Sequence, residues 1–175
     1  MACDISLGRK EPCKSNQGGL AAVYFVNWGD MSGVTYDATN TDVIEAVLGT
    51  PSAYKYELKG ASNFEQTINS DRNTGTSFFT QTLNLSLKTL TPSAHKELKL
   101  LTYSRFQVVV EDNMGNKFLA GLVRGAEVTG GTIVTGTNLG DQSGYTLTIM
   151  AEEPVPANFL DGTMTALGFT VVEGA

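Results

Sequence analysis

Between Ser77 and Leu90, polar and apolar positions alternate: Thr82, Asn84, Ser86 and Lys88 fall on one side, Leu83, Leu85 and Leu87 on the other. Successive side chains of a strand point to opposite faces, so this pattern predicts a long half-buried strand. Upstream, Phe64–Ile68 alternates weakly and Asn69–Thr76 (NSDRNTGT) is polar, which makes 64–90 a β-hairpin with a polar tip. Ala53–Leu58 alternates Tyr54, Tyr56 and Leu58 against Lys55 and Glu57, the pattern of a half-exposed strand. Leu20–Trp28 and Phe106–Val110 are compact apolar runs and predict buried strands.

Thr91 suits a helix N-cap and Pro92 the first helical position, where its missing N–H is not needed. Ala94, Leu98 and Leu101 then lie on one face of a helix over 92–103, too short to stand alone. Asn113–Asn116 is a turn between strands at Phe106–Asp112 and Lys117–Val123. Ala126–Thr129 and Thr132–Thr135 are expected as short strands around Gly130-Gly131, and the glycines at 125, 130, 131, 136 and 140 as turns. Asn138–Gly144 is another polar turn. Tyr145–Met150 alternates, and Glu152–Pro156 should stop that strand, because proline donates nothing to a ladder. The stretch 29–50 predicts a long excursion with one or two short strands or a helical turn. The expected architecture is mainly β, a sandwich or barrel with one short α-helix. It comprises an N-terminal arm (1–19), a β domain (20–157) and a C-terminal tail (158–175) with a last strand over Gly168–Val172.

Length and composition fit one globular domain, and 175 residues bury a core without a metal or disulfide staple. The formal net charge of −6 disfavours binding nucleic acid through its phosphates. Charge is uneven. Arg9, Lys10 and Lys14 cluster in the arm, no Lys or Arg lies between Lys14 and Lys55, and none follows Arg124. A basic arm beside acidic surfaces suits head-to-tail self-association, although ordinary solvated charge is the simpler account. Cys3 and Cys13 form no disulfide framework, the first residues lack the apolar core of a signal peptide, and no run is long enough to span a membrane. Reduced thiols and a cytosolic origin are expected.

Chemistry is sparse. His95, the single histidine, falls in the helix without a Ser or Cys at suggestive spacing. Cys3 and Cys13 are too far apart for a zinc knuckle. Asp37–Asp42 (DATNTD) lacks the glycine and terminal glutamate of a calcium loop, and no phosphate-binding glycine motif is present. Glu152 and Glu153 should face opposite sides of a strand and so cannot share acid–base work. Asn84-Leu85-Ser86 matches a glycosylation sequon, which carries no weight without a secretory signal. Tyr24, Phe25, Trp28, Phe78 and Phe79 offer either core packing or a stacking platform, and the acidic charge disfavours the platform. No catalytic residue, metal or cofactor is expected.

Several segments together resemble the tail tube proteins of tailed bacteriophages and, more distantly, the tubes of contractile injection systems. These are the hairpin FEQTINSDRNTGTSFF, the alternating strand TQTLNLSLKTL, the helix after Thr91-Pro92, the strand–turn–strand RFQVVVEDNMGNKFLAGLVRG and the late strand GDQSGYTLTIMAEEPVPANFL. The resemblance runs from about Ala53 to Leu160; the excursion at 29–50 departs from the simplest tube pattern. It implies a non-enzymatic virion protein, made in the host cytoplasm. Its homohexameric rings would stack head to tail, their inner strands joined into one β-barrel. Implied partners are other copies, a tape-measure protein and transiting DNA in the lumen, and sheath, terminator and baseplate proteins, with no membrane and no specific nucleic-acid recognition. On this basis Thr82, Asn84, Ser86, Lys88, Thr146 and Thr148 form the lumen face, with Lys88 discordant. Arg9, Lys10, Lys14, Asp71, Arg72 and Asn73 are the ring-stacking candidates. A tail terminator, hub or connector ring is an alternative within the same fold. A monomeric β-sandwich binding or capsid decoration module, displaying Tyr54 and Tyr56, is the alternative of a different class.

Overall fold

The computed structural model describes residues 5–174; Cys3, and with it any pairing to Cys13, lies outside them. The chain forms β1 (Leu20–Asn27), β2 (Met31–Tyr36), β3 (Val43–Gly49), β4 (Ser52–Glu57), β5 (Asn63–Asp71) and β6 (Thr76–Lys88). It continues through α1 (Pro92–Tyr103), β7 (Phe106–Asp112), β8 (Lys117–Ala120), β9 (Glu127–Val134), β10 (Gly144–Glu153), β11 (Asn158–Leu160) and β12 (Thr170–Val172). Two sheets result: an eight-stranded one, ordered β12-β4-β1-β7-β8-β11-β3-β2, and a four-stranded one, ordered β5-β6-β10-β9. The fold is mainly β with one helix, consistent with a sandwich.

Topology forces the large sheet to curl. β3 and β4 are joined only by Thr50 and Pro51, yet β1, β7, β8 and β11 lie between them in the sheet. A two-residue link spans at most about 10 Å, so the two sides of the sheet must come round to meet. The chain after β11 bridges the seam: Val47 N donates to Leu167 O (2.8 Å) and Thr170 N to Pro51 O (2.9 Å).

Curling creates two cores from one sheet. Val23, Phe25, Phe106, Val108 and Val110 face the small sheet and meet Leu83, Leu85, Leu147 and Ile149. Ala22, Tyr24, Val26 and Val109 face the inside of the curl, against Ile44, Leu119, Leu160, Leu167 and Phe169. The apolar runs at β1 and β7 follow from this, because both of their faces are buried. Helix α1 starts as expected, with Thr91 Oγ1 accepting from Ala94 N at 3.2 Å. Leu98 is buried in the first core, and Ala94 and Leu101 pack against it.

The structure corrects several expectations. Residues 158–175 are no tail: β11 lies within the large sheet, β12 pairs with β4, and Met164, Leu167 and Phe169 are buried. At 29–50, of the two alternatives expected, the structure takes the two strands, paired as a β2–β3 hairpin, and not the helical turn. Of the polar stretch 69–76, only 72–75 turns; 69–71 and 76 belong to the strands. β8 stops at Ala120, before Gly121. β10 runs through Glu152 and Glu153, and Pro154 ends it. Gly130 and Gly131 lie inside β9; Thr129 is the extra residue of a bulge, since Val128 opposes Ile149 and Gly130 opposes Thr148. A Cβ on Gly131 would run into the carbonyl oxygen of Thr146, so close strand approach, not a turn, requires this glycine.

Phe169 is buried in the curl, so Phe169→Ala should cost about 3–5 kcal/mol. Urea unfolding measures this; an unchanged midpoint would show that 158–175 lies outside the cooperative unit.

Candidate functional site

Register in the small sheet decides which side chains share its outer face. Ser86 opposes Thr146, and Asn84 opposes Thr148 on one side and Asn63 on the other. Thr82 opposes Met150 and Glu65, and Thr80 opposes Glu152 and Thr67. All six residues assigned to a lumen, Thr82, Asn84, Ser86, Lys88, Thr146 and Thr148, therefore lie on this face. Sequence reasoning missed Asn63, Glu65 and Thr67 of β5, Glu152 of β10 and Thr132 of β9. The alternation of Phe64 with Glu65 and of Ile149 with Met150 held that signal, but only for someone who knew which strands adjoin.

The face is a network of hydroxyls and amides. Thr148 Oγ1 donates to Asn84 Oδ1 (3.2 Å), and Asn84 Nδ2 to Asn63 Oδ1 (3.3 Å). Gln142 Nε2 donates to Ser86 Oγ (2.7 Å), and Asn69 Nδ2 to Thr80 Oγ1 (2.8 Å). The charged side chains on it are Glu65 and Asp71 of β5, Glu152 of β10 and Glu127 of β9, which opposes Met150, with Lys88 at the far end of β6. Behind it, Leu83 and Leu85 are buried in the first core. Glu152 is exposed on the outer side and Glu153 buried on the inner, the opposition expected of adjacent strand residues.

Both edges of this sheet are unpaired. β5 and β9 each have one strand neighbour, and both strands are largely exposed. Edge strands of this length invite pairing with another chain. The groove of about 420 Å³ between α1 and β9 is lined by Leu98, Val128, Tyr145 and Leu147, with His95 at its rim. No group of three or more His, Cys, Asp or Glu side chains that could hold a metal occurs among the described residues. Tyr24 and Phe25 point into different cores and Trp28 sits at the end of β1, so these aromatics form no joint platform.

The stacking candidates separate to opposite ends of the strands. Asp71, Arg72 and Asn73 stand at the β5–β6 tip. The arm with Arg9, Lys10 and Lys14 is irregular and exposed, and it leaves the other end, where Asn113 Nδ2 donates to Gly18 O at 2.8 Å. That end also carries Asp141, held below the usual carboxylate range by the backbone N–H groups of Asn138 and Thr137. The chain matches no protein-family model, no curated protein and no solved structure.

Asn84 and Leu83 are neighbours with opposite roles. Asn84→Ala should change stability by less than about 1 kcal/mol, whereas Leu83→Ala should cost about 2–5 kcal/mol. Equal losses in denaturant titrations would show the polar face to be structural core.

Proposed function

We propose that this chain is a structural tail tube subunit, whose copies join side by side into rings and stack into a DNA-conducting channel. One observation carries this: a four-stranded sheet that is polar on its outer face, apolar behind and unpaired at both edges. All its pairings are antiparallel, so β5 and β9 run in opposite directions. In a ring with rotational symmetry, β9 of one copy then meets β5 of the next antiparallel, and the pairing continues round the ring. Closure removes both edges. The hydroxyls and amides become a lumen wall, and Glu65 and Glu152 repel phosphate, so DNA slides without adhesion. Six copies per ring, a tape-measure protein in the lumen, a virion location and the absence of catalysis belong to the same proposal.

Negative-stain microscopy of the concentrated protein should show rings and tubes with a central channel; a uniform monomer at every concentration would overturn the proposal. Exposed Ile68 of β5 and Ile133 of β9 supply a finer test. Ile68→Lys and Ile133→Lys place a charge at each edge and should abolish rings while leaving the circular dichroism of the subunit unchanged. Rings that persist in both variants would exclude edge-to-edge pairing.

A further inference from the structure

The loop from Gly121 to Gly125 has no regular structure, yet buried polar side chains from both sheets hold it. Gln81 Oε1 accepts from Gly121 N (3.0 Å), and Gln107 Nε2 donates to Leu122 O (3.1 Å). Glu153 Oε1 accepts from Val123 N (3.1 Å) and Arg124 N (2.7 Å). Glu153 is 1% exposed, and neither its Oε2 nor Gln107 Oε1 has a hydrogen-bond partner. A buried carboxylate is a costly way to hold a surface loop, and what it secures is fixed geometry.

That geometry displays an apolar patch. Trp28 is 39% and Val123 56% exposed, and the Arg105 guanidinium lies 3.8 Å from the Trp28 ring centroid. Gly125, at φ +83°, brings the loop backbone against both: a Cβ there would come 2.6 Å from Arg105 Nε and 3.0 Å from Trp28 Cε3. The indole is thus fixed by the loop and by Arg105 and is partly open at the rim. Tryptophan and arginine are the side chains that most often dominate association energies, and a pre-ordered patch loses little entropy on contact.

We infer, on the reading that copies stack head to tail, that this patch seats the Asp112–Asn116 turn of a second copy. The two sites occupy opposite ends of the same strands. β7 begins at Phe106 next to Arg105 and ends at Asp112, while β8 begins at Lys117 and ends at Ala120, next to the loop. Translation along the strands therefore brings the turn of one copy onto the patch of another. The turn is also rigid: Asp112 Oδ1 accepts from Met114 N (2.9 Å) and Asn116 N (2.8 Å), and Oδ2 accepts from Asn116 Nδ2 (2.9 Å). Its apolar tip, Met114, is 45% exposed and fits the indole and Val123. Asp112 lies on the turn side, where Glu111 is already paired with Lys117 at 3.9 Å, and Arg105 and Arg124 lie on the patch side, so the carboxylate of Asp112 faces two guanidinium groups across the contact. Asp30 follows Trp28 by two residues, while the arm with Arg9, Lys10 and Lys14 leaves the opposite end beside the turn.

Trp28 is the single tryptophan, so its fluorescence reports this patch alone. Stacked tubes should emit at shorter wavelength than dissociated subunits and resist acrylamide quenching. Val123→Glu and Met114→Glu should each leave rings, abolish stacking and abolish the shift. Tubes whose Trp28 emission and quenching equal those of the free subunit would overturn the inference, as would tubes of undiminished length in both variants. Either result leaves the tube reading standing; a protein that forms no rings at all overturns that reading as well.

Discussion

β1 and β7 pair along their whole lengths, and side chains on both faces of the pair are buried. From Ala22 to Val26 each residue step along β1 switches between the inside of the curled sheet and the sandwich core, while a bulge between Leu20 and Ala22 shifts the first residue. A one-residue slip in their register would exchange Val23 and Phe25 with Ala22 and Tyr24, placing small side chains where large ones pack and the reverse. This pairing fixes the distance between the two cores and hence the position of everything attached to either. The small sheet rests on one face of the pair, and the chain after β11 fills the other.

The small sheet leaves its whole outer face uncovered. Its outer side chains are mostly hydroxyls and amides that hydrogen-bond along and across the strands, which gives order without a dense field of charge. Long hydrocarbon-stemmed charges are few there; Lys88 sits at the very end of β6. Monomeric proteins usually guard an exposed edge with lysine, proline or strong twist. Neither β5 nor β9 contains lysine or proline, and each displays an isoleucine. The bulge at Thr129 and the carboxylates of Glu65 and Glu127 are the guards these edges do carry, and the proposed ring requires pairing that accommodates them.

Local patterns were legible in the sequence wherever one residue's neighbours decide its state. The β6 alternation, the Thr91-Pro92 helix start and the opposition of Glu152 to Glu153 are of this kind. Long-range geometry was hidden. Asn158–Leu160 is too short to announce a strand, and it becomes one because β8 and β3 flank it. Gly130-Gly131 resembles a turn until β10 is seen approaching Gly131 too closely for a side chain. The polar face was half legible: β6 and β10 showed it by alternation, whereas β5 joined it only through register. The clamp made by Gln81, Gln107 and Glu153 left no local mark, because its three members come from different strands and meet only around the loop.

Strand parity bears on assembly in a way that copy number does not. Four antiparallel strands per subunit leave two edges of opposite direction, so every rotational ring closes antiparallel, whatever its number of subunits. An odd number would bring parallel edges together, and every junction would switch hydrogen-bond pattern. The number of copies must therefore be set elsewhere, by strand tilt and stagger within the barrel and by the contacts behind it. In the proposed ring, the surfaces that flank the polar sheet are the groove between α1 and β9 on one side and Phe64, Phe118 and Phe159 beside β5 on the other. On the proposed reading, the polar wall remains the same sheet in rings of different size, and these flanks are where the size would be set.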